Sequence, residues 1–458
     1  MASVIKTLIF SSLIYRYGIL WAILITIIRS FVVKYIFRFF FNLQELDNQE
    51  LAFIYSLADR RMIMTGFLIL DQYKPEELKN IIIEKGIKQF DKLRRNIIQK
   101  LGNYYWNELS VEQAVKTSIK ILPDMHMKNM QDILDYSCEM QNVDIPLENV
   151  QYEFHICKYA EHGMVLNIKF DHVLSDGIGF MGFLMALADN YHISMFPSIR
   201  EIPFLTNLLL KICAPFYFLK YLSQALRLKV EDNSFKRNGP KGKKIVKVGK
   251  SYNFAEFTKV TKKIGITYNE AIFSIISKTA KKYFMKHGFE HVNTMNVICP
   301  FTFRSVPQTL KHHVINNDIS SLSFCLPLID NIKDDSSKIK QTLDLYVKDI
   351  FLAKGSILQV DLGSLVPEAY LKNAAEEYGR PIDMVISNVP GPRSLLLYSG
   401  AKVLSIMPTP NTGFFNTFLA TITYNGEFCF SLGSDSNVKL NVDEYMQMLE
   451  HEVDNLLK

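Results

Sequence analysis

The sequence predicts an α/β fold built as two sandwich lobes, and three observations carry that prediction. Strand-like and helix-like patterns mix in both halves of the chain, which argues against a barrel or a helical array. A basic stretch around a Gly-Pro pair, residues 229–250, separates the halves. The 458 residues are 48% hydrophobic and 21% charged, enough for a sizeable core and too apolar for global disorder. The expected division is an amino-terminal segment 1–44, a first lobe 45–228, the linker 229–250 and a second lobe 251–458.

The amino-terminal segment is almost entirely apolar, aromatic or basic from Thr7 to Phe41. Lys6, Arg16, Arg29, Lys34 and Arg38 face no acid there, so this segment holds most of the net charge of +6. The remaining chain is nearly neutral, which argues against a nucleic-acid-binding body. The longest uncharged run is Tyr17–Ile28, whereas a straight membrane crossing takes about twenty residues. A span that tolerates Arg16 and a helix lying at the bilayer surface both fit. A signal peptide fits least, because the apolar run continues to Phe39–Phe41 without a small-residue cleavage site. A buried core helix is the non-membrane alternative. We expect a membrane helix, cytosol-facing, at the endoplasmic reticulum or plasma membrane. The six cysteines stand far apart, with no C-x-x-C pair, and read as reduced thiols.

Along the chain, Glu76–Phe90 has helical spacing, and Met164–Phe170 alternates as a half-buried strand with Leu166, Ile168 and Phe170 on one face. An apolar helix is predicted over 177–191. A second apolar stretch, 204–222, is expected to be broken at Lys211 and Pro215 into a core or membrane-facing helix pair. Beyond the linker the pattern predicts a helix at Tyr268–Met285 and strands at Met295–Cys299 and Ser321–Pro327. After a helical stretch, strands follow at Asp383–Ile386, Val403–Met407, Asn416–Tyr424 and Glu427–Leu432. Asn425-Gly426 joins the last two as a hairpin, and a helix from Asp443 closes the chain.

The sharpest chemical signal is His172-Val-Leu-Ser-Asp176-Gly177, where a predicted strand meets a helix. A neutral imidazole there can take a proton from a hydroxyl. Asp176 would hold the turn, and Gly177 and Gly179 allow close backbone approach. The bland alternative is a loop histidine beside a helix-capping aspartate. His312-His313 has no acidic or cysteine partner at metal-ligand spacing, so no metal site is expected. No G-x-S-x-G, Walker or dinucleotide fingerprint is present.

Several separated segments occur in one order: Pro146-Leu147-Glu148, Tyr152-Glu153, His172 with Asp176-Gly177, Thr267-Tyr268-Asn269-Glu270, Pro300-Phe-Thr-Phe-Arg304, Asn316-Asn317 and Ser387-Asn388-Val389-Pro390-Gly391-Pro392. With Tyr424-Asn-Gly426 and Asp435 they resemble the wax ester synthase/diacylglycerol acyltransferase (WS/DGAT) family over roughly residues 50–455. That family carries an HHxxxDG motif, and the SNVPGP element matches it unchanged. Asp171 stands where the family has its first histidine, and Glu270 where it has aspartate. An adjacent carboxylate at 171 would favour the imidazolium of His172.

The resemblance implies two chloramphenicol-acetyltransferase-like lobes with a tunnel at their interface, acyl-CoA as co-substrate, a lipid hydroxyl as acceptor and no further cofactor. It implies His172 as general base and Asp176 as its structural companion, paired with Arg304. Asn269, Ser387 and Asn388 become the substrate-binding or oxyanion candidates, with Gly177 and Arg304 structural. The function so implied is esterification of diacylglycerol or a long-chain alcohol. A related acyltransferase acting on another small alcohol or amine, and a non-catalytic lipid-binding scaffold, are the alternatives.

Overall fold

The computed structural model describes residues 43–54, 61–100, 102–195, 202–302, 304, 315–363 and 368–458, with scattered positions between 11 and 40. The chain runs through β1 (Gln44–Glu45), α1 (Asn48–Ile54), β2 (Ile63–Leu70), α2 (Pro75–Ile81), β3 (Arg95–Lys100), β4 (Asn103–Glu108) and α3 (Val111–Ser118). It continues through β5 (Ile119–Met127), α4 (Met130–Gln141), β6 (Tyr152–Tyr159), β7 (Gly163–Asp171), α5 (Gly177–Leu187) and α6 (Phe204–Ala225). Next come β8 (Lys244–Val248), β9 (Tyr252–Asn253), α7 (Phe254–Lys263), α8 (Tyr268–Lys286), β10 (Thr294–Thr302), β11 (Ile319–Pro327) and α9 (Ile332–Tyr346). The chain ends with α10 (Ile350–Gly363), α11 (Glu368–Gly379), β12 (Met384–Pro390), β13 (Leu397–Tyr398), β14 (Ala401–Thr409), β15 (Thr417–Tyr424), β16 (Glu427–Asp435) and α12 (Val442–Leu457).

Two large mixed sheets organise these elements. The first has the order β13-β14-β2-β7-β6-β5 and the second β11-β10-β12-β15-β16-β8, with β9 also on β16. The first sheet therefore takes two strands from the carboxy-terminal part of the chain: β14 pairs antiparallel with β2 from Val403↔Leu70 to Thr409↔Thr65. The sheets do not divide where the sequence suggested. Residues 229–250, read as a linker, contribute β8 to the edge of the second sheet, paired with β16.

Strand β7 was expected to be half-buried, yet both of its faces are covered. Leu166, Ile168 and Phe170 enter the main core of the first lobe. Val165, on the opposite face, packs with Ile133 and Leu134 of α4 and with Cys157 and Phe67. Alternation alone could not reveal a helix lying over the polar-looking face. The apolar stretch 204–222 also differs: it is one helix, α6, with Pro215 inside it. An interior proline costs about 3 kcal/mol, which packing on α10 offsets. A Cβ on Gly355 would lie 2.5 Å from the Tyr217 carbonyl carbon, so only glycine lets the two helices approach this closely. Helix α2 widens into a π-helical turn at Ile82–Ile87 before the predicted end at Phe90.

The 425–426 turn closes as the sequence indicates, with φ of 48° at Asn425 and 80° at Gly426. The predicted membrane helix lies mostly outside the described residues. Among those described, no helix is long and apolar enough to cross a membrane.

Candidate active site

A cavity of about 1420 Å³ is lined by residues of both sheets, His172, Asp176, Gly177, Asn269, Ser387 and Asn388 among them. His172 follows β7 and is buried, with 7% of its surface exposed. Its backbone N–H donates to the Met62 carbonyl at 3.0 Å. Phe53, carried by α1, stacks on its ring at 3.9 Å between centroids and 16° between planes. Helix α1 is itself pinned: Glu50 accepts from Trp106 Nε1 at 2.9 Å and pairs with Lys92 at 2.6 Å. Lys92 also donates to the Leu174 carbonyl at 2.7 Å, which ties the turn after His172 to the same post.

Asn317 sets the tautomer of His172. Its Nδ2 donates to the His172 backbone carbonyl at 2.8 Å, so its Oδ1 must be the atom 3.0 Å from His172 Nδ1. An amide oxygen only accepts, hence Nδ1 carries the hydrogen and Nε2 keeps a lone pair. Nε2 has no hydrogen-bond partner among the described residues. Burial holds the imidazole pKa below its ordinary value, against the upward pull of Asp176. The ring is thus held neutral, oriented and basic on one nitrogen.

Asp176 does not touch His172's ring nitrogens. It caps α5 by accepting from Gly179 N–H at 2.7 Å. Its other oxygen accepts from Arg304 Nη2 at 2.6 Å and from Asp318 N–H at 2.8 Å. Arg304 also donates to Asn316 Oδ1 at 2.7 Å. Asp176 therefore fastens the histidine turn to the β10–β11 connection. Gly179 is the glycine that close approach requires, since a Cβ there would lie 2.5 Å from Ser175 Oγ. Gly177 is roomier, with only Val389 Cγ2 at 3.9 Å.

Asn269, Asn388 and Thr421 form a directed chain. Thr421 Oγ1 donates to Asn388 Oδ1 at 2.7 Å, and Asn388 Nδ2 donates to Asn269 Oδ1 at 2.7 Å. Asn388 and Thr421 are register partners on the parallel strands β12 and β15. Both carbonyl oxygens of the asparagines are thereby occupied, and Asn269 Nδ2 remains as a donor in the cavity wall. Such a preset amide can stabilise charge developing on an oxygen. Ser387 lines the same wall. Gly391 of the SNVPGP element approaches β15 so closely that a Cβ would collide with the Thr423 carbonyl oxygen.

The structure places both residues that depart from the family's pattern. Asp171 does not act on His172: it is fully buried, pairs with Arg61 at 3.1 Å and accepts from Val173 N–H at 2.9 Å. Burial raises its pKa to about 6, with Arg61 opposing. Glu270 does not extend its longer side chain toward the histidine. It closes a capping box with Thr267 and pairs with Lys348 at 3.1 Å. The Thr-x-x-Glu spacing already carried that signal. Phe53 and Thr421 had none, and Asn317 stood out only as part of a motif. His312-His313 lies outside the described residues; among those described, no group of three or more His, Cys, Asp or Glu could hold a metal ion.

The α/β fold around this cavity is similar to that of solved acetyltransferase and condensation-domain structures. A trichothecene 15-O-acetyltransferase from Fusarium sporotrichioides superposes with a TM-score of 0.65 at 10% identity, covering 90% of this chain and 94% of that one. The wax ester synthase/diacylglycerol acyltransferase from Marinobacter aquaeolei VT8 superposes with a TM-score of 0.62 at 16% identity, covering 90% and 98%. Residues 317–457 match the WS/DGAT C-terminal domain family. The O-acyltransferase WSD of Acinetobacter baylyi is 20% identical over 161 residues, 34% of either chain, so that match spans about a third of the relative's length. The resemblance to the WS/DGAT family is thereby borne out, and the names of these relatives point to O-acyl transfer.

Proposed function

We propose that the protein is an acyl-CoA-dependent O-acyltransferase that esterifies diacylglycerol, a long-chain alcohol, or both. One observation carries the reading: His172 is held with Nε2 unprotonated at the wall of a large, mostly apolar cavity that also presents the Asn269 amide. In the reaction Nε2 takes the proton of the acceptor hydroxyl, a step contributing about 10²–10⁴-fold in rate. The resulting oxygen attacks the thioester carbonyl, whose oxygen gathers charge beside Asn269 Nδ2. The C–S bond breaks, the imidazolium returns its proton to the thiolate, and ester and free CoA leave. Asp176 and Arg304 keep the turn in place and exchange no proton. A cavity lined by Phe170, Phe180, Phe273, Phe301, Met181 and Ile298 suits a lipid acceptor. Residues 1–44, with five cations and no acid, hold the chain on a cytosol-facing membrane surface.

The test is expression of the full chain, and of its His172→Ala variant, in a host lacking neutral-lipid synthesis. Triacylglycerol or wax ester accumulates with the wild type only. A folded wild type that forms neither lipid, in cells or with purified acyl-CoA and acceptor, overturns the reading. Ester formed from small alcohols or amines alone moves the acceptor class.

A further inference from the structure

We propose that α6 is a lipid-docking surface, lying in the headgroup region of a bilayer with the mouth of the cavity flush against the acyl chains. Only Leu210, Ala214, Tyr221 and Ala225 of its 22 residues are buried, a single narrow stripe that rests on α10 and β11. The rest of the helix presents large apolar side chains to the outside. Phe204 is 82% exposed, Leu205 68%, Ile212 66%, Phe216 69% and Leu219 63%. One exposed leucine needs no explanation, but a contiguous apolar face of this length marks a surface that meets something.

Charge and position say what it meets. The helix contains Lys211 and Lys220 and no acid, and Arg227 and Lys229 follow its end. Lys220 is satisfied by Asp349 at 3.4 Å, whereas Lys211 is exposed and matches an anionic surface. The helix is not long and apolar enough to cross a membrane, which leaves the in-plane orientation for an apolar face edged by cations. Its carboxy-terminal turns belong to both environments at once. Tyr221, Leu222, Ala225 and Leu226 line the cavity, while Leu222 and Leu226 are also exposed, Leu226 by 77%. The apolar outer face thus runs without interruption into the cavity wall, and an acyl chain can pass from bilayer to cavity without crossing water. Docking stands on exposure and charge alone; that the passing molecule is the acceptor lipid rests on the acyltransferase reading.

A single tryptophan on the helix tests it in the full chain. The protein has two tryptophans, Trp106 buried and Trp21 58% exposed. In a Trp21→Phe background, Phe216→Trp places a reporter on the proposed face, and a melting curve confirms folding. With vesicles of phosphatidylcholine and phosphatidylserine the emission shifts to the blue, and brominated lipid quenches it. Adding Ile212→Glu and Leu219→Glu raises the lipid concentration that gives half-maximal quenching by about tenfold per substitution, the loss anticipated for each side chain withheld from an apolar phase. Emission that stays unshifted and unquenched, while Trp21 of the otherwise native chain is quenched, would overturn the proposal and leave the amino-terminal segment as sole anchor. A blue shift without vesicles also overturns it: growing with protein concentration it means a second copy, and independent of concentration it means the chain's own amino-terminal segment. No outcome depends on turnover, so failure of the His172 chemistry would leave this result standing, and the reverse.

Discussion

Replacing Asn317 with alanine should lower kcat about tenfold while leaving KM nearly unchanged. The substitution removes the Oδ1 acceptor 3.0 Å from His172 Nδ1 and the Nδ2 donors to the His172 and Val173 carbonyls at 2.8 and 3.4 Å. A net hydrogen bond contributes about 0.5–1.5 kcal/mol, so losing the bias toward the Nε2-basic tautomer costs roughly two- to twelvefold in rate. The full 10²–10⁴-fold of general-base catalysis is not at risk, because Phe53 still stacks on the ring and the Met62 carbonyl still holds the backbone. Stranding the His172 carbonyl should lower stability by about 1–3 kcal/mol, while the Val173 carbonyl keeps Lys92. The companion Asn317→Asp separates positioning from mere structure. It keeps an acceptor for Nδ1–H but brings a carboxylate that stabilises the imidazolium. Activity needs neutral imidazole, so the acid limb of the rate profile should move to higher pH. The assay is acyl transfer in detergent micelles across pH, with melting curves for both variants. A folded Asn317→Ala that turns over at the wild-type rate, with an unshifted pH profile, would refute the tautomer argument.

Because burial lowers the His172 pKa, the acid limb of the wild-type kcat/KM profile should have its half-point below the ordinary imidazole value of about 6.5; a half-point above that value would contradict the assignment. Asp171→His, which restores the family's residue, should destabilise this chain by about 3–5 kcal/mol, since it leaves Arg61 buried without its counter-charge. An unchanged melting temperature would show that Arg61 finds another partner. Gly391→Ala forces a Cβ against the Thr423 carbonyl and should cost at least about 1–3 kcal/mol along with activity, whereas Gly177→Ala has room and should melt like wild type. Equal melting of the two variants would undo that distinction.

Much of the architecture was legible in residue order. Periodicity located α8, β10, β11 and the closing hairpin, because each is a local pattern bounded by turn chemistry. The course of β14 was not legible. Val403–Met407 reads as a strand, but nothing local says that its partner is β2, more than three hundred residues earlier. The continuity of α6 was hidden for a similar reason, since Pro215 argues for a break unless Gly355 of another helix is known to lie beside it. At the site, His172 and Asp176 were visible as a strand-to-helix motif. The pairing of Asp176 with Arg304 came with the family resemblance, and the structure bears it out. The partner of His172 was not visible: Asn317 arrives from the second half of the chain and carries no spacing relation to the histidine. Asp171 was misjudged because sequence adjacency suggested contact, whereas its carboxylate is engaged by the buried Arg61 and the Val173 N–H, neither of which the sequence ties to it.

The strand exchange also bears on how the chain can be made. Until residues 401–409 have emerged, β2 is the edge of its sheet, and its sequence IMTGFLIL presents an unpaired, almost wholly apolar ladder. The first lobe is therefore incomplete for most of synthesis, and it cannot finish before the second lobe's strand β12 has been made. A nascent chain stalled or cut anywhere between the lobes leaves that ladder open to other chains. Fragments ending near residue 390 should depend on chaperones and form inclusion bodies, while a separate peptide carrying 397–409 should pair with them in trans.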